Sequence, residues 1–327
     1  MIKIGIIGER YSDDFFKDIA LMIDIEIRCI YSSSLDRAKE IIKEKQLIAK
    51  PTNLFETIVD EVDAVYICSV PKSHYDHAKY FLQQQTHVLI EKPLSLSFEQ
   101  ACELYEIAKK NNVVLLEAQY LLHTPIISSL FECIQKTQPI FANFNVSKLT
   151  PQLEQIKNGN FLGVFDEKIG KGITYDLLTY PVSLAISLFG KVREVKAMSL
   201  NLSNNLAISN IVILKHENDV LVNIFCSATL QTSLKSEILS EDMTFIIDDI
   251  TKINEIKIFD NFKKSYLQSF ESKTLNKFNS MIYLMRVFVK MIKTNENQLN
   301  DYLLGVSCEI IRVLDLIEKN QNYIGEE

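Results

Sequence analysis

Lys3-Ile4-Gly5-Ile6-Ile7-Gly8-Glu9-Arg10-Tyr11-Ser12-Asp13 lies at the start of the chain. A β-branched apolar run over residues 3–8 stops at a glycine, and an amphipathic stretch follows at 13–22. That order is strand, tight turn, helix. It then recurs. A strand at 26–31 leads through Ser32-Ser33-Ser34 into a helical run at 35–45, and the serines are natural caps for it. A strand at 64–69 precedes a helix at 73–84, a strand at 87–90 precedes a helix at 97–111, and a strand at 113–117 ends the series. Apolar runs without polar alternation, separated by helices, are parallel strands buried on both faces. They predict an α/β Rossmann domain, a doubly wound parallel sheet, over residues 1–119.

Past residue 120 the pattern changes. Strands are expected at 143–148 and 192–200, and a hairpin at 210–216 and 219–226 around Glu217-Asn218. Further strands are expected at 235–239, 243–247 and 255–259. Residues 177–190 read as a buried helix, and 277–293 and 302–318 as terminal helices. Residues 120–327 are therefore expected to form an α+β domain with an open, mostly antiparallel sheet, its C-terminal helices packing back toward the first domain.

Composition narrows the function classes. A length of 327 residues fits about two domains. A formal charge of −7 provides no basic excess for neutralising nucleic-acid phosphates. No apolar run approaches the roughly 20 residues of a membrane span, and the start lacks a basic segment followed by a longer apolar one. A soluble, cytoplasmic protein is expected, with no nucleic-acid or membrane partner. Six cysteines without a Cys-x-x-Cys pair predict free thiols, no disulfide framework and no metal site.

The turn after the first strand is where a dinucleotide's pyrophosphate would sit, cradled by Gly-x-Gly-x-x-Gly. Here only Gly8 remains. Arg10 stands at the second glycine position, where its guanidinium could grip a phosphate. Asp13 stands at the third, where it would cap the helix. The loop reads equally as a modified pyrophosphate site and as one that no longer binds dinucleotide. The second strand ends in Tyr31-Ser32-Ser33 without the carboxylate that usually holds a ribose 2′-hydroxyl. These hydroxyls and nearby Arg37 would accept a 2′-phosphate better, which favours NADP over NAD.

Glu91-Lys92-Pro93 directly follows the strand at 87–90. Together with Asp63-Ala64-Val65-Tyr66-Ile67 and the helix start at 74–78, it resembles the Gfo/Idh/MocA family, the relatives of glucose-fructose oxidoreductase and inositol dehydrogenase. The resemblance continues through Leu116-Glu117-Ala118, Gly170-Lys171-Gly172-Ile173-Thr174-Tyr175-Asp176, Leu188-Phe189-Gly190 and Ile311-Arg312-Val313-Leu314-Asp315-Leu316-Ile317. It implies an NAD(P)-dependent oxidoreductase that moves a hydride between a nicotinamide and a small hydroxylated or carbonyl substrate, commonly a sugar, polyol or diol. The second domain would then bind substrate and carry oligomerisation.

The resemblance also implies residue roles. Lys92 contacts substrate and nicotinamide ribose, and the Lys92-Pro93 peptide is expected to be cis. Asp176 and Tyr180 match an Asp followed four residues later by His or Tyr, a spacing that puts both on one helical face. Tyr180 would exchange the proton, Lys92 would bind and polarise while lowering the phenol's pKa, and Asp176 would orient. Cofactor contacts are expected from Gly8, Glu9, Arg10, Ser32, Ser33, Arg37, Ser69, Val70, His74, Glu91 and Lys92. Tyr120 and His123 join Lys92, Asp176 and Tyr180 as substrate contacts; His77, His87 and His216 are expected to be structural. Lys171 and Leu178 replace glycines and are expected to add bulk around the cleft. Rival readings are a non-catalytic dinucleotide- or sugar-sensing regulator and an NAD-dependent glycoside-cleaving relative. A homodimer or dimer of dimers is expected through the outer sheet face, with Val220, Val222 and Ile224 outward, alternating with Leu221, Asn223 and Phe225.

Overall fold

The computed structural model describes residues 1–9, 15–271, 280–294 and 296–320. The chain divides into two compact units: Met1–Tyr120 with Thr274–Cys308, and Leu121–Lys273 with Glu309–Glu327. The first runs β1 (Ile2–Ile7), α1 (Phe15–Ala20), β2 (Ile25–Tyr31), α2 (Leu35–Glu44), β3 (Lys50–Thr52), α3 (Glu56–Val59), β4 (Ala64–Ile67), α4 (Pro71–Gln83), β5 (His87–Ile90), α5 (Phe98–Asn111) and β6 (Leu115–Glu117). The second holds α6 (Pro125–Thr137), β7 (Phe141–Ser147), α7 (Leu153–Lys157), α8 (Gly172–Tyr175), α9 (Thr179–Phe189), β8 (Val192–Asn201), β9 (Ala207–His216), β10 (Leu221–Ser227), β11 (Ser236–Leu239), β12 (Met243–Ile247), β13 (Glu255–Asp260) and β14 (Ser265–Glu271). Next, α10 (Ser280–Thr294) belongs to the first unit, and α11 (Asn297–Lys319) is shared out between the two.

The first unit is a six-stranded parallel sheet in the order β3-β2-β1-β4-β5-β6. This is the doubly wound order that binds dinucleotides across the carboxyl edge of its strands. Every residue of β4 is fully buried, as a strand covered on both faces must be. One core joins Phe15 of α1 and Leu284, Met285 and Phe288 of α10 to Ile4, Ile6, Tyr66 and Leu89 of the sheet. Phe15 stacks on Tyr66 with ring centroids 4.5 Å apart. On α4 and α5, Phe81, Leu82 and Leu104 are buried in turn. The expected serine cap is Ser34, whose hydroxyl accepts from the Arg37 amide.

The second unit is built on an eight-stranded sheet, β14-β13-β12-β11-β7-β10-β9-β8, antiparallel except between β7 and β10. The hairpin at Glu217-Asn218 forms β9 and β10. Its facing corrects the sequence expectation. Val220, Val222 and Ile224 are buried, and Leu221, Asn223 and Phe225 form the more open set. With apolar residues on both faces, the pattern itself cannot choose a face, and a one-residue change of parity inverts it. The outer face exposes Met198, Leu200, Ile211, Ile213 and Leu221. The buried helix expected at 177–190 is α9, whose Val182, Leu184 and Ala185 are fully buried. Among the described residues, no helix is long and apolar enough to cross a membrane.

Candidate active site

The first group of site residues lies at the carboxyl edge of β1 and β2. Gly8 directly follows β1 with φ +102, and a Cβ there would stand 2.7 Å from Ser69 Cα and N. No other residue fits so close to the backbone leaving β4. Gly8 also donates its amide to the Tyr31 carbonyl at 3.3 Å, so the turn is fixed on both neighbouring strands. Glu9 follows. Its carboxylate accepts from Ser32 Oγ at 3.0 Å and from Arg37 Nε at 2.9 Å. Arg37 also meets Glu40 at 3.1 Å and Glu44 at 3.2 Å. These carboxylates, Glu9 first, push the guanidinium pKa further up. The sequence expectation left Ser32 and Arg37 open for a 2′-phosphate; in the structure Glu9 already holds both. Ser33 is exposed beside them. Arg10 and Asp13 lie outside the described residues.

The second group lies at the carboxyl edge of β4, β5 and β6. The Lys92-Pro93 peptide is cis. His74, 1% exposed, sits behind it: Nδ1 is 2.7 Å from the Pro93 carbonyl and Nε2 3.1 Å from the Ser69 carbonyl. His74 thus fastens two loops and acts through them. Val70 is the extended residue before α4, whose first position is Pro71. The Tyr66 hydroxyl donates to Glu91, and burial raises the Glu91 carboxyl pKa. Ser69 Oγ is buried without a hydrogen-bond partner. Tyr120 packs its ring on the apolar core of this unit.

Glu117, the last residue of β6, is a functional candidate absent from the sequence-based set. It is buried, and its Oε1 accepts the Leu94 amide at 2.8 Å, directly after the Lys92-Pro93 turn. Burial pushes its carboxyl up to about 7, against the pull of Ser307, the Leu94 amide, Gln119 and the Lys92 charge. The signal available was a carboxylate closing the apolar run Val113-Val114-Leu115-Leu116, at the ligand-binding edge of a parallel sheet.

The remaining candidates belong to the second unit. Asp176 and Tyr180 are not on one continuous helix, as their spacing had predicted. α8 stops at Tyr175, Asp176 follows in a turn, and α9 starts at Thr179. Pro181 explains the break: it has no amide to donate to Leu177 and is tolerated only in a helix's first turn. Thr179 Oγ1 closes the gap by donating to the Tyr175 carbonyl at 2.9 Å. Asp176 faces the end of β10, where its charge adds to the burial that raises the Cys226 thiol pKa. Tyr175 donates to Asp315, and Lys171 pairs with Glu318 at 2.8 Å. Leu178 is fully buried, so it fills core; Lys171 is drawn onto α11, and the expected crowding of the cleft does not follow from either. His123 has its pKa lowered to about 4 by burial and is neutral at physiological pH. His87 and His216 hold backbone: His87 Nδ1 accepts from the Val114 amide, and His216 Nδ1 meets the Gly190 carbonyl.

These residues fit a dinucleotide. Gly8 makes the tight turn at the end of the first strand, Ser69 offers an unsatisfied buried hydroxyl, and Ser32 and Arg37 form an anion-holding pair at the ribose end. Among the described residues, no cluster of three or more His, Cys, Asp or Glu suits a metal ion. Sheet order and edge together define a dinucleotide-binding fold. Residues 2–119 match the family model described as "Oxidoreductase family, NAD-binding Rossmann fold", and residues 155–246 match the GFO/IDH/MocA C-terminal domain. The chain belongs to the Gfo/Idh/MocA family and is an NAD(P)-dependent oxidoreductase. It is 26% identical to the scyllo-inositol 2-dehydrogenase (NADP(+)) IolU of Bacillus subtilis, over 99% of this chain and 98% of that one. It is 23% identical, with the same coverage, to the uncharacterized oxidoreductase YgjR of Escherichia coli. Among solved structures, the 3-ketoreductase KijD10 of Actinomadura kijaniata, in complex with NADP and TDP-benzene, shares the fold with TM-score 0.83 at 17% identity, over 98% of each chain.

Proposed function

We propose that this protein oxidises or reduces a secondary alcohol or ketone carbon of a sugar or polyol, with Lys92, Asp176 and Tyr180 as the chemical residues. The carrying observation is the fixing of the Lys92 turn by His74 and Glu117 at the dinucleotide edge of the sheet. Likeness to an inositol dehydrogenase along the whole chain supports the substrate class. The bound nicotinamide supplies or takes up the hydride. Lys92 binds the substrate oxygen and polarises it, Tyr180 gives or takes that oxygen's proton, and Asp176 orients the phenol. Around the cofactor, Gly8, Glu9, Arg10, Ser32, Ser33, Arg37, Ser69, Val70 and Glu91 are its contacts, with His74 positioning them. Tyr120 and His123 border the substrate; a neutral His123 would offer it one donor and one acceptor.

Ser32 and Arg37 support acceptance of NADP alongside NAD. Cys29, Cys102, Cys133, Cys226 and Cys308 are free thiols, which supports a reducing, cytoplasmic setting. The apolar outer face carrying Met198, Leu200, Ile211 and Ile213 supports a homodimer or dimer of dimers. A monomer by light scattering at micromolar concentration would remove that part of the reading. The main test is a titration with NADPH and NADH, followed by a screen of inositols, sugars and diols for cofactor turnover. Binding with turnover that Tyr180→Phe cuts about a hundredfold or more is the expected result. Binding without turnover on any of them would favour a sensing regulator instead.

A further inference from the structure

We infer that Glu9 sets the choice between NADPH and NADH, because its carboxylate occupies, between Ser32 and Arg37, the ground a 2′-phosphate would take. This rests on the dinucleotide reading above and adds a residue to it that works as an internal competitor. Three observations carry it. The second strand ends without an acid of its own, and among the described residues the carboxylate on Ser32 Oγ is the one delivered from the first loop, at 3.0 Å. The guanidinium facing that ground is engaged by Glu9 at 2.9 Å, Glu40 at 3.1 Å and Glu44 at 3.2 Å, and all three pairs are partly solvent-exposed. Gly8, fixed against the backbone of Ser69, fixes where Glu9 begins, so the contact is placed by the fold.

The consequences differ for the two cofactors. With NADH, the Glu9 carboxylate keeps its pair with Arg37 and accepts a hydrogen bond from the ribose 2′-hydroxyl. With NADPH, the carboxylate and the 2′-phosphate compete for the same donors, and Glu9 must swing away before Ser32 and Arg37 can bind the phosphate. An exposed ion pair is weak enough to yield, so the protein accepts both cofactors and discriminates little between them.

The experiment compares 2′,5′-ADP with 5′-AMP by calorimetry, and NADPH with NADH by cofactor fluorescence, on the full chain. The absence of tryptophan leaves that fluorescence free of the usual protein emission. For the wild type, the two members of each pair should bind within about tenfold of each other. Glu9→Gln and Glu9→Ala should each tighten NADPH and 2′,5′-ADP about tenfold, and Glu9→Ala should weaken NADH and 5′-AMP. Arg37→Ala should weaken only the 2′-phosphorylated ligands, NADPH and 2′,5′-ADP. Equal shifts for both members of a pair, or no shift, in the Glu9 variants would overturn the inference while leaving the dinucleotide reading standing. Wild-type protein that binds none of the four ligands would overturn both.

Discussion

The two ends of the parallel sheet's carboxyl edge are built on different terms. At the β2 end, Glu9 and Arg37 meet through exposed charges, beside the Ser32 hydroxyl, and such a pair contributes about 0–1 kcal/mol. At the β4–β6 end, Lys92 rides on a turn whose supports are buried: His74 against two carbonyls, Glu117 against the Leu94 amide, Tyr66 against Glu91. Breaking one of those leaves a buried polar group unpaired, which costs about 1–3 kcal/mol. The end that selects a cofactor can thus rearrange cheaply, and the end that does chemistry is locked in place.

That contrast can be broken at several levels. The largest effect is expected from Lys92→Ala: about a thousandfold loss of kcat with NADPH affinity within a few-fold of wild type, read by steady-state kinetics and cofactor titration. A parallel collapse of binding and rate would show that the locked end also carries cofactor affinity. Glu117→Gln comes next, with a signature in pH. The folded carboxyl titrates at about 7, above its usual range of about 4.3 when unfolded. The unfolded chain therefore loses this proton first as pH rises, and stability falls from about pH 4.5 to 7 and then levels, by up to roughly 3 kcal/mol. The glutamine variant should lack that fall, so its Tm should gain on the wild type across the window; parallel Tm curves would refute the assignment. His74→Ala should cost about 2–3 kcal/mol by denaturant unfolding, through lost buried hydrogen bonds and a cavity. A cost below 0.5 kcal/mol would mean that the loops hold without it. At the exposed end, Glu44→Gln should change stability by less than about 0.5 kcal/mol.

The parallel sheet was legible because strands covered on both faces must be apolar throughout, as β4 is. Strands that bury little were not: β3 is three residues at a sheet edge, and β14 leaves nearly all its side chains exposed. The helix α6 was not anticipated either, although Pro125 marks its first turn. In the site, Lys92 and Glu91 announced themselves by a short motif. Glu9 did not announce its partners, since Ser32 and Arg37 lie 23 and 28 residues away along the chain. The break between Asp176 and Tyr180 was written in Pro181, but a spacing of four outweighed it. Glu117 was quoted as part of a motif without a role, because its significance depends on burial.

Gly8 has one more lesson in it. Its missing side chain is demanded by the backbone of Ser69 and Cys68, whatever lies beyond the turn. It is therefore a record of architecture, whereas the glycine replaced by Arg10 would have been a record of a ligand. A lineage can exchange the latter while its fold keeps insisting on the former. Counting glycines mixes two kinds of testimony, and the one that this chain keeps at the turn speaks for the scaffold.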